Sequence, residues 1–223
     1  MDTLTIRDLA IELPALHEDE LTPVQHLDAD ADRLSLLSYT DADLRNLTLS
    51  GTQVFDSRLS GVTAQSADLD NLRLSSVEIV RCDLASLTFT ASRLSRVRFT
   101  DCRFLGARFS ELVLDDVVFE RCRFDYATFD NVTAKGPVAF LGCSLTEAEF
   151  TACDLSDVAF EGCSLRATSF QNGTYKGTDL RGNDLSAIAG ALNLRRIVLD
   201  HHQLTDLSTV LADELGITFA EDR

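Results

Sequence analysis

The sequence predicts an all-β solenoid, a chain wound into stacked coils with four sides each. An apolar residue recurs at every fifth position from Tyr39 to Ala134 and, after a slip of one residue, from Phe140 to Leu185. A step of five fits neither the 3.6-residue period of a helix nor the two-residue period of a strand. The chemistry also repeats every twenty residues, so four five-residue sides make one coil.

The residue two positions before each apolar residue carries a second pattern. If the apolar residue is position i, position i−2 is mostly small, and all six cysteines occupy it. These are Cys82, Cys102, Cys122, Cys143, Cys153 and Cys163. Random placement would scatter six cysteines over the five positions. A small side chain is needed where the backbone approaches another layer, so position i−2 is expected to point into the coil.

The phenylalanines give the third observation, because they recur at steps of ten residues. They are Phe89, Phe99, Phe109, Phe119 and Phe129, then Phe140, Phe150, Phe160 and Phe170. A step of ten in a coil of twenty places them on two opposite sides. At a strand spacing of about 4.8 Å, the repeats predict about seven and a half coils in a rod of roughly 36 Å. One coil cannot bury its own apolar residues, so stacking must close the core.

The five-residue motifs resemble the A(D/N)LXX signature of the pentapeptide-repeat proteins. Examples are TDADL, QSADL, GTDLRGNDL and FEGCSL. The resemblance covers about Leu34 to Leu185 and implies a right-handed quadrilateral β-helix. We therefore predict an N-terminal cap over residues 1–33, a pentapeptide-repeat β-helix over residues 34–185, and a C-terminal cap with a dimerisation helix over residues 186–223.

The segment LTDLSTVLADELG predicts one short α-helix after the repeats. Its leucines form one apolar stripe, and Gly216 suits a C-cap. This end resembles the C-terminal helix through which the gyrase-targeting Qnr and MfpA groups of the family form homodimers. The alternative is a helix folded back over the last coil of a monomer. The predicted dimer interface consists of Leu204, Leu207, Leu211, Leu215, Ile217 and Phe219.

Composition disfavours several classes of function. The chain shows neither a membrane-length apolar segment nor the features of a signal peptide, so we expect a cytoplasmic protein. Cysteines confined to inward positions are expected to be buried, reduced thiols. A filled rod offers no cleft, so we predict no enzyme and no cofactor. We also predict no metal site, because all four histidines lie outside the repeats. A net charge of −16 also disfavours a nucleic-acid partner.

The acidic charge is unevenly distributed along the chain. Residues 1–33 have a net charge of −7 and residues 200–223 of −5, whereas residues 34–199 have only −4. Within the repeats, residues 81–123 carry eight bases and six acids, and residues 125–161 carry seven acids and one base. We predict these seven acids as partner-binding residues: Asp125, Asp130, Glu147, Glu149, Asp154, Asp157 and Glu161. The alternative is a solvated face that keeps the rod soluble.

One extra residue interrupts the repeat in KGPVAF, between Ala134 and Phe140. Gly136 and Pro137 suit a bulge or a tight turn. Some gyrase-protecting relatives carry larger projecting loops that matter for protection. A single extra residue favours a bulge that only re-registers the coil.

Two functions remain open from the sequence. The resemblance implies a non-enzymatic homodimer that binds DNA gyrase or topoisomerase by DNA-like shape and charge, and that modulates the enzyme or protects it from quinolone-type poisons. The alternative is a structural or protein-interaction scaffold with an unknown cytoplasmic partner. A continuous negative strip along the rod would favour the first function, and alternating patches would favour the second.

Overall fold

The computed structural model describes residues 2–28 and 30–218 and is a parallel β-solenoid with one short C-terminal helix, as predicted. The strands are β1 (Thr3–Ile6), β2 (Leu9–Glu12), β3 (Thr22–Val24), β4 (Arg33–Ser35), β5 (Leu37–Thr40), β6 (Asp43–Ser50), β7 (Gln53–Ser60), β8 (Thr63–Asp70), β9 (Arg73–Val80), β10 (Thr88–Thr90), β11 (Arg93–Thr100), β12 (Arg108–Ser110), β13 (Val113–Glu120), β14 (Thr128–Asp130), β15 (Thr133–Ala134), β16 (Val138–Leu141), β17 (Glu149–Thr151), β18 (Ala159–Glu161) and β19 (Ser169–Gln171). The helix α1 spans Leu204–Glu214, and 3-10 turns span Ala191–Asn193 and His201–Gln203. None of the helices in this described part has the length and apolar character needed to cross a bilayer.

About seven coils are stacked, and each pairs with the next in parallel at an offset of twenty residues, as Leu94 does with Leu74 and Leu114. We number the four faces of the rod by their inward apolar side chains. Face 1 carries Val54, Leu74, Leu94, Leu114, Leu155 and Tyr175; face 2 carries Leu59, Ile79, Phe99, Phe119, Phe140 and Phe160. Face 3 carries Leu84, Phe104, Phe124, Leu145 and Leu165; face 4 carries Leu69, Phe89, Phe109, Phe129, Phe150 and Phe170.

The predicted phenylalanine stacks are confirmed on faces 2 and 4, which lie opposite each other. On face 2 the rings of Phe99 and Phe119 are 4.9 Å apart at 15°. On face 4 the rings of Phe129 and Phe150 are 4.5 Å apart at 12°. Rings from the two faces meet edge to face in the middle of the rod, a favoured aromatic geometry. The core is therefore continuous across the coil as well as along it.

The corners between faces explain why the repeat has five residues. Positions i−2 and i point inward, and positions i−1 and i+1 point outward, as in a strand. Position i+2 then turns the corner with a left-handed backbone, as at Asp101 (φ 54°) and Gly106 (φ 62°). Gly, Asn and Asp tolerate that region better than other residues. Four alternating residues and one corner residue make one side of the coil.

The cysteines are buried and free at position i−2, as predicted. Each thiol lies near a main-chain carbonyl of the preceding coil, as does Cys102 Sγ at 3.3 Å from Ile79 O. Thr168 uses the same position to donate its hydroxyl hydrogen to Leu145 O at 2.8 Å. Burial raises the pKa of Cys153 to about 11. Position i−2 therefore requires a small side chain and favours one that can donate a hydrogen bond.

The extra residue forms a bulge, as the sequence predicted. The pairing of β13 changes from Leu114–Ala134 to Val117–Val138, so its offset increases by one residue. Gly136 lies in this bulge, where a Cβ would collide with a neighbouring side chain. The pairing returns to twenty residues in the next coil, between β16 and β18. The bulge therefore re-registers the coil and forms no projecting loop.

The N-terminal hairpin of β1 and β2 packs on the outside of face 2. Its Ile6 and Ile11 bury themselves against the outward side chains of Val118, Ala139 and Ala159. The same outward column carries charged residues in earlier coils. Among residues 34–185 of that column, these three side chains are the apolar ones. The apolar face of the hairpin therefore packs against them.

The described residues of segment 1–33 are divided between the flank and the end of the rod, and the predicted cap over residues 1–33 stays a prediction. Residues 2–13 lie along the flank of the rod, and only the later part reaches its open end. There β3 pairs with β5, and β4 pairs with β7, so both extend the ten-stranded sheet. At the other end, the coil continues past Leu185 through a bridge between Asp179 and Val198.

Candidate protein-interaction surface

The structure distributes the seven predicted acidic residues over all four faces. Asp130 and Glu149 lie on face 4, Glu147 at the corner of faces 3 and 4, Asp125 on face 3, Asp154 on face 1, Asp157 at the corner of faces 1 and 2, and Glu161 on face 2. The stretch 125–161 therefore does not form one surface, because it winds around the rod almost twice.

Two of these acids are already neutralised. Asp125 is only 7% exposed, pairs with Arg123 at 3.2 Å and accepts a hydrogen bond from the hydroxyl of Ser144. Glu161 lies 3.5 Å from the guanidinium of Arg7. Neither carboxylate is available as an unpaired charge.

The arginines of the basic stretch are largely paired on faces 2 and 3. These ion pairs are Arg98–Glu120, Arg103–Asp83, Arg121–Asp101, Arg121–Glu120 and Arg123–Asp125. The hydrogen bond from Arg121 lowers the pKa of Asp101. Burial opposes the ionisation of Glu120, but the hydrogen bond from Arg98 lowers its pKa overall. Most arginines on faces 2 and 3 are therefore compensated by carboxylates of the same chain.

The hairpin is held on face 2 by an ion-pair cluster around Arg7. Its Nη1 lies 2.5 Å from Asp179 Oδ1, and its Nη2 donates to Arg181 O at 2.9 Å. Burial alone would raise the pKa of Asp179, but hydrogen bonds from Arg181 and Arg7 lower it to about 2. This cluster and the apolar contacts of the hairpin close face 2 toward its C-terminal end.

Face 4 has a different outer surface. Its outward positions and its two corners carry six exposed acids and one exposed base. They are Asp68, Asp70, Glu111, Asp130, Glu147 and Glu149, with Arg108. Within residues 2–28 and 30–218, none of these seven takes part in an ion pair.

The charge density of this acidic face approaches that of a nucleic-acid strand. The face has a net charge of −5, from six acids less one base. Its charges span four coil steps of about 4.8 Å, or roughly 19 Å, so one net charge falls about every 4 Å. One strand of DNA carries a charge about every 3.4 Å. Hydroxyl groups orient the acids locally, since Thr90 donates to Asp70 at 2.7 Å.

Tyr126 projects beside this acidic face, at the corner of faces 3 and 4. Its side chain is 57% exposed, and its backbone has a φ of 61°. A groove of about 370 Å³ lies next to the ring. The groove is lined by Tyr126, Thr128, Glu147, Glu149, Ala167 and Ser169. Tyr126 is not among the residues predicted from the sequence, although no other aromatic residue occupies position i+2 in the repeats.

One side of α1 covers the last coil, as the folded-back alternative expects. Leu207 and Val210 are buried, and Leu211 packs partly buried on the same core. The carboxylate of Glu214 accepts hydrogen bonds from the amides of Ala191 and Leu192. The predicted helix is confirmed, and its main chain ends with a left-handed glycine at position 216 (φ 66°).

Apolar side chains at the two ends of α1 and just after it are exposed. Leu204 is 61% exposed, Leu215 is 59% exposed and Ile217 is 51% exposed. Leu192, beside the end of the helix, is 45% exposed. Phe219 lies outside the described residues. Of the predicted dimer-interface residues, Leu207 and Leu211 therefore pack within the chain, whereas Leu204, Leu215 and Ile217 are exposed.

The four histidines, His17, His26, His201 and His202, are all exposed. Across residues 2–28 and 30–218, no three His, Cys, Asp or Glu side chains are grouped so as to hold a metal ion. The absence of a catalytic site stays a prediction.

The architecture defines a four-sided β-solenoid protein. A family model described as "Pentapeptide repeat region" matches residues 72–137 and 114–189, which together cover more than half of the chain. The chain therefore belongs to the pentapeptide-repeat family. No curated protein sequence matches it significantly.

Solved structures of pentapeptide-repeat proteins are similar to this chain. QnrB1, a plasmid-mediated fluoroquinolone resistance protein, is 14% identical with a TM-score of 0.41, over 78% of this chain and 99% of QnrB1. HetL, from the cyanobacterium Nostoc sp. strain PCC 7120 and involved in the regulation of heterocyst differentiation, is 17% identical with a TM-score of 0.38, over 75% of this chain and 82% of HetL. Neither likeness carries an argument about function.

Proposed function

We propose that this chain is a non-enzymatic protein that presents face 4 to the DNA-binding surface of DNA gyrase or a related topoisomerase. By its DNA-like shape and charge it modulates the enzyme or protects it from quinolone-type poisons. The single observation that carries the proposal is the set of six exposed acids on face 4, which have no ion pair among the described residues. The resemblance of the C-terminal end to the Qnr and MfpA groups of the family suggests the identity of the partner.

A basic partner gains the most binding free energy on a face whose acids are not already paired within the chain. Faces 2 and 3 already pair their charges internally, so a partner would have to displace existing ion pairs there. The acids of face 4 are exposed and fixed on a rigid, phenylalanine-filled rod. Several unpaired like charges raise the local potential and speed the encounter with an oppositely charged surface. A rigid surface also has little conformational entropy to lose on binding.

The proposal includes a cytoplasmic homodimer formed through the C-terminal end. Its support is the exposed apolar set Leu204, Leu215 and Ile217, together with Leu192. Association would remove these exposed apolar side chains from water, which is favourable. A dimer would double the length of the acidic face. The buried free thiols suit a reducing compartment.

A scaffold with another protein partner is the second candidate function. The specific observation that favours it is Arg108, which interrupts the acids near the middle of face 4. The coil before it carries Thr88 and Thr90 in the outward positions, so the strip is not continuously negative.

A supercoiling assay tests the proposed function. Purified protein is titrated into DNA gyrase with relaxed plasmid, with and without ciprofloxacin. Relaxation by a type I topoisomerase on the same plasmid is the control for non-specific effects. We expect inhibition at low micromolar protein, or rescue from the drug, with the control enzyme unaffected. No effect at high protein would refute the gyrase proposal for the enzyme tested.

The oligomeric state is tested separately by light scattering after gel filtration. The wild type is expected to be a dimer, and Leu215→Asp combined with Ile217→Asp is expected to shift it to a monomer. A monomeric wild type would overturn the dimer.

A further inference from the structure

We propose that Tyr126, Glu147 and Glu149 form an anchor site for an arginine side chain of the protein partner. The proposal deepens the proposed function and rests on its premise that a partner contacts face 4. It assigns a particular side chain of that partner to a particular groove.

Tyr126 differs from the other tyrosines in its exposure. The other two tyrosines, Tyr39 and Tyr175, are 3% and 1% exposed. Tyr126 alone turns its ring to solvent, at a corner whose neighbour in the preceding coil is Gly106. A left-handed backbone is unfavourable for a bulky side chain. The core gains nothing from this residue, so its role lies at the surface, where tyrosine is enriched at the centres of interfaces.

Two carboxylates line the same groove as the Tyr126 ring. Glu149 lies on β17, directly opposite Thr128 of β14, two residues along from Tyr126. Glu147 takes the corner position in the next coil above Tyr126. Both are exposed and have no ion pair among the described residues. At the two positions of the next coil that line the groove, the side chains are small, Ala167 and Ser169, so the groove stays open.

The aromatic ring and the two carboxylates of the groove determine which side chain it favours. An aromatic face attracts a cation, and guanidinium is a planar cation that also stacks on the ring. The same guanidinium can pair with a carboxylate through two parallel hydrogen bonds. Lysine offers a point charge without the planar geometry. A site with one aromatic face and two carboxylates therefore favours arginine. Nucleic acid is disfavoured here because the net charge of face 4 repels phosphate.

The probe for the site is the capped peptide Gly-Arg-Gly-Arg-Gly, titrated into the full chain. Lysine and citrulline versions of the peptide are the controls. The readout is the NMR signals of the Tyr126 ring, which stand apart because the other two tyrosines are buried. We expect the arginine peptide to bind at least fivefold more tightly than the lysine peptide, and citrulline to give no shift. Equal binding of arginine and lysine would overturn the proposal.

Variants identify the groups that bind, with the backbone signals of positions 147, 149 and 167 as the readout in every protein. Tyr126→Phe keeps the ring and is expected to bind within twofold of the wild type. Tyr126→Ser, and Glu147→Gln combined with Glu149→Gln, are expected to weaken binding at least fivefold. Asp68→Asn with Asp70→Asn removes two charges from the same face away from the groove and is the matched control. An equal loss in this control would show general attraction to face 4 and overturn the site.

The same variants in the supercoiling assay separate this proposal from the proposed function. If the wild type leaves gyrase unaffected but the peptide pattern holds, the anchor site is supported and the partner is another protein. If the wild type acts on gyrase and Tyr126→Ser acts equally well, the anchor site is overturned and the gyrase proposal stands.

Discussion

Faces 2 and 4 have the same interior and different exteriors. Inside, each is a stack of phenylalanines at matched spacing. Outside, face 2 pairs its charges with one another and is covered near its C-terminal end by the hairpin of β1 and β2. Face 4 leaves six acids and Arg108 without ion pairs among the described residues.

This comparison indicates which positions of the repeat stabilise the fold and which are free to vary. Positions i−2 and i are constrained by packing on every face, so they carry the same residue types throughout. Positions i−1 and i+1 are free to vary, and on face 2 they stabilise the fold through ion pairs and hairpin contacts. On face 4 the same positions make no such contribution, so their acidic character points to an interaction.

The largest expected effect tests whether the two interiors are equivalent. Phe140 on face 2 is 1% exposed, and Phe150 on face 4 is 0% exposed. Replacing either with alanine should lower the free energy of unfolding by about 3–5 kcal/mol, because each removes a stacked ring and leaves a cavity. Denaturant unfolding would measure both. Losses that differ by more than about 2 kcal/mol would contradict the equivalence.

The next largest effect is expected when the hairpin of β1 and β2 is released from face 2. Ile11 is fully buried against the rod, so Ile11→Asp should release the hairpin and lower the free energy of unfolding by about 2 kcal/mol. Hydrogen exchange should then increase at the hairpin while the coil around Val118 stays folded. Thr5→Asp, at an exposed position of the same hairpin, is the matched control and should have no such effect. Unchanged exchange in Ile11→Asp would mean that the hairpin is held by other contacts.

The ion-pair cluster on face 2 predicts a pH dependence. The folded pKa of Asp179 is about 2, below the value of about 3.9 expected for an unfolded chain. A depressed folded pKa stabilises the protein above the unfolded pKa, so this stabilisation is complete above about pH 4 and is lost as the pH falls toward 2. Its size should be about 1–2 kcal/mol, since the side chain is 14% exposed.

The measurement compares the stability of Asp179→Asn with that of the wild type from pH 6 to pH 2. The variant should be less stable at neutral pH and should lose less stability in this range. An unchanged acid dependence in the variant would assign the effect to other groups.

The smallest effect on stability is expected when a single carboxylate is neutralised on face 2 or on face 4. Glu120 on face 2 is paired with Arg98 and Arg121, so Glu120→Gln should cost about 1 kcal/mol. Glu149 on face 4 is unpaired among the described residues, so Glu149→Gln should change stability by less than about 0.5 kcal/mol. Thermal unfolding would measure both, and an equal cost would remove the distinction between the faces.

Much of the fold could be predicted because every coil imposes the same constraint. A step of five places one residue type on one side, so the faces, the phenylalanine stacks and the buried cysteines follow from counting. The bulge at Gly136 also follows, since one extra residue shifts every later position. The helix α1 was predictable from its apolar stripe and its terminal glycine.

The candidate surface was only partly predictable. The sequence analysis grouped acids by their order along the chain, but a stretch of thirty-seven residues winds around all four faces. Sorting the same acids by their position within the coil would have collected face 4. The docking of the hairpin required tertiary contacts, although the outward run of Val118, Ala139 and Ala159 marks the place.

The central claim is that face 4, and not the acidic stretch as a whole, contacts the partner. The most direct test compares two charge reversals from that stretch in the gyrase supercoiling assay: Glu147→Lys with Glu149→Lys, beside face 4, and Asp154→Lys with Asp157→Lys, on and beside face 1. Circular dichroism melting would confirm that both variants fold. The first pair should lose inhibition at least tenfold, and the second should stay within twofold of the wild type. Equal losses in both pairs, or a loss in the second pair alone, would contradict the account.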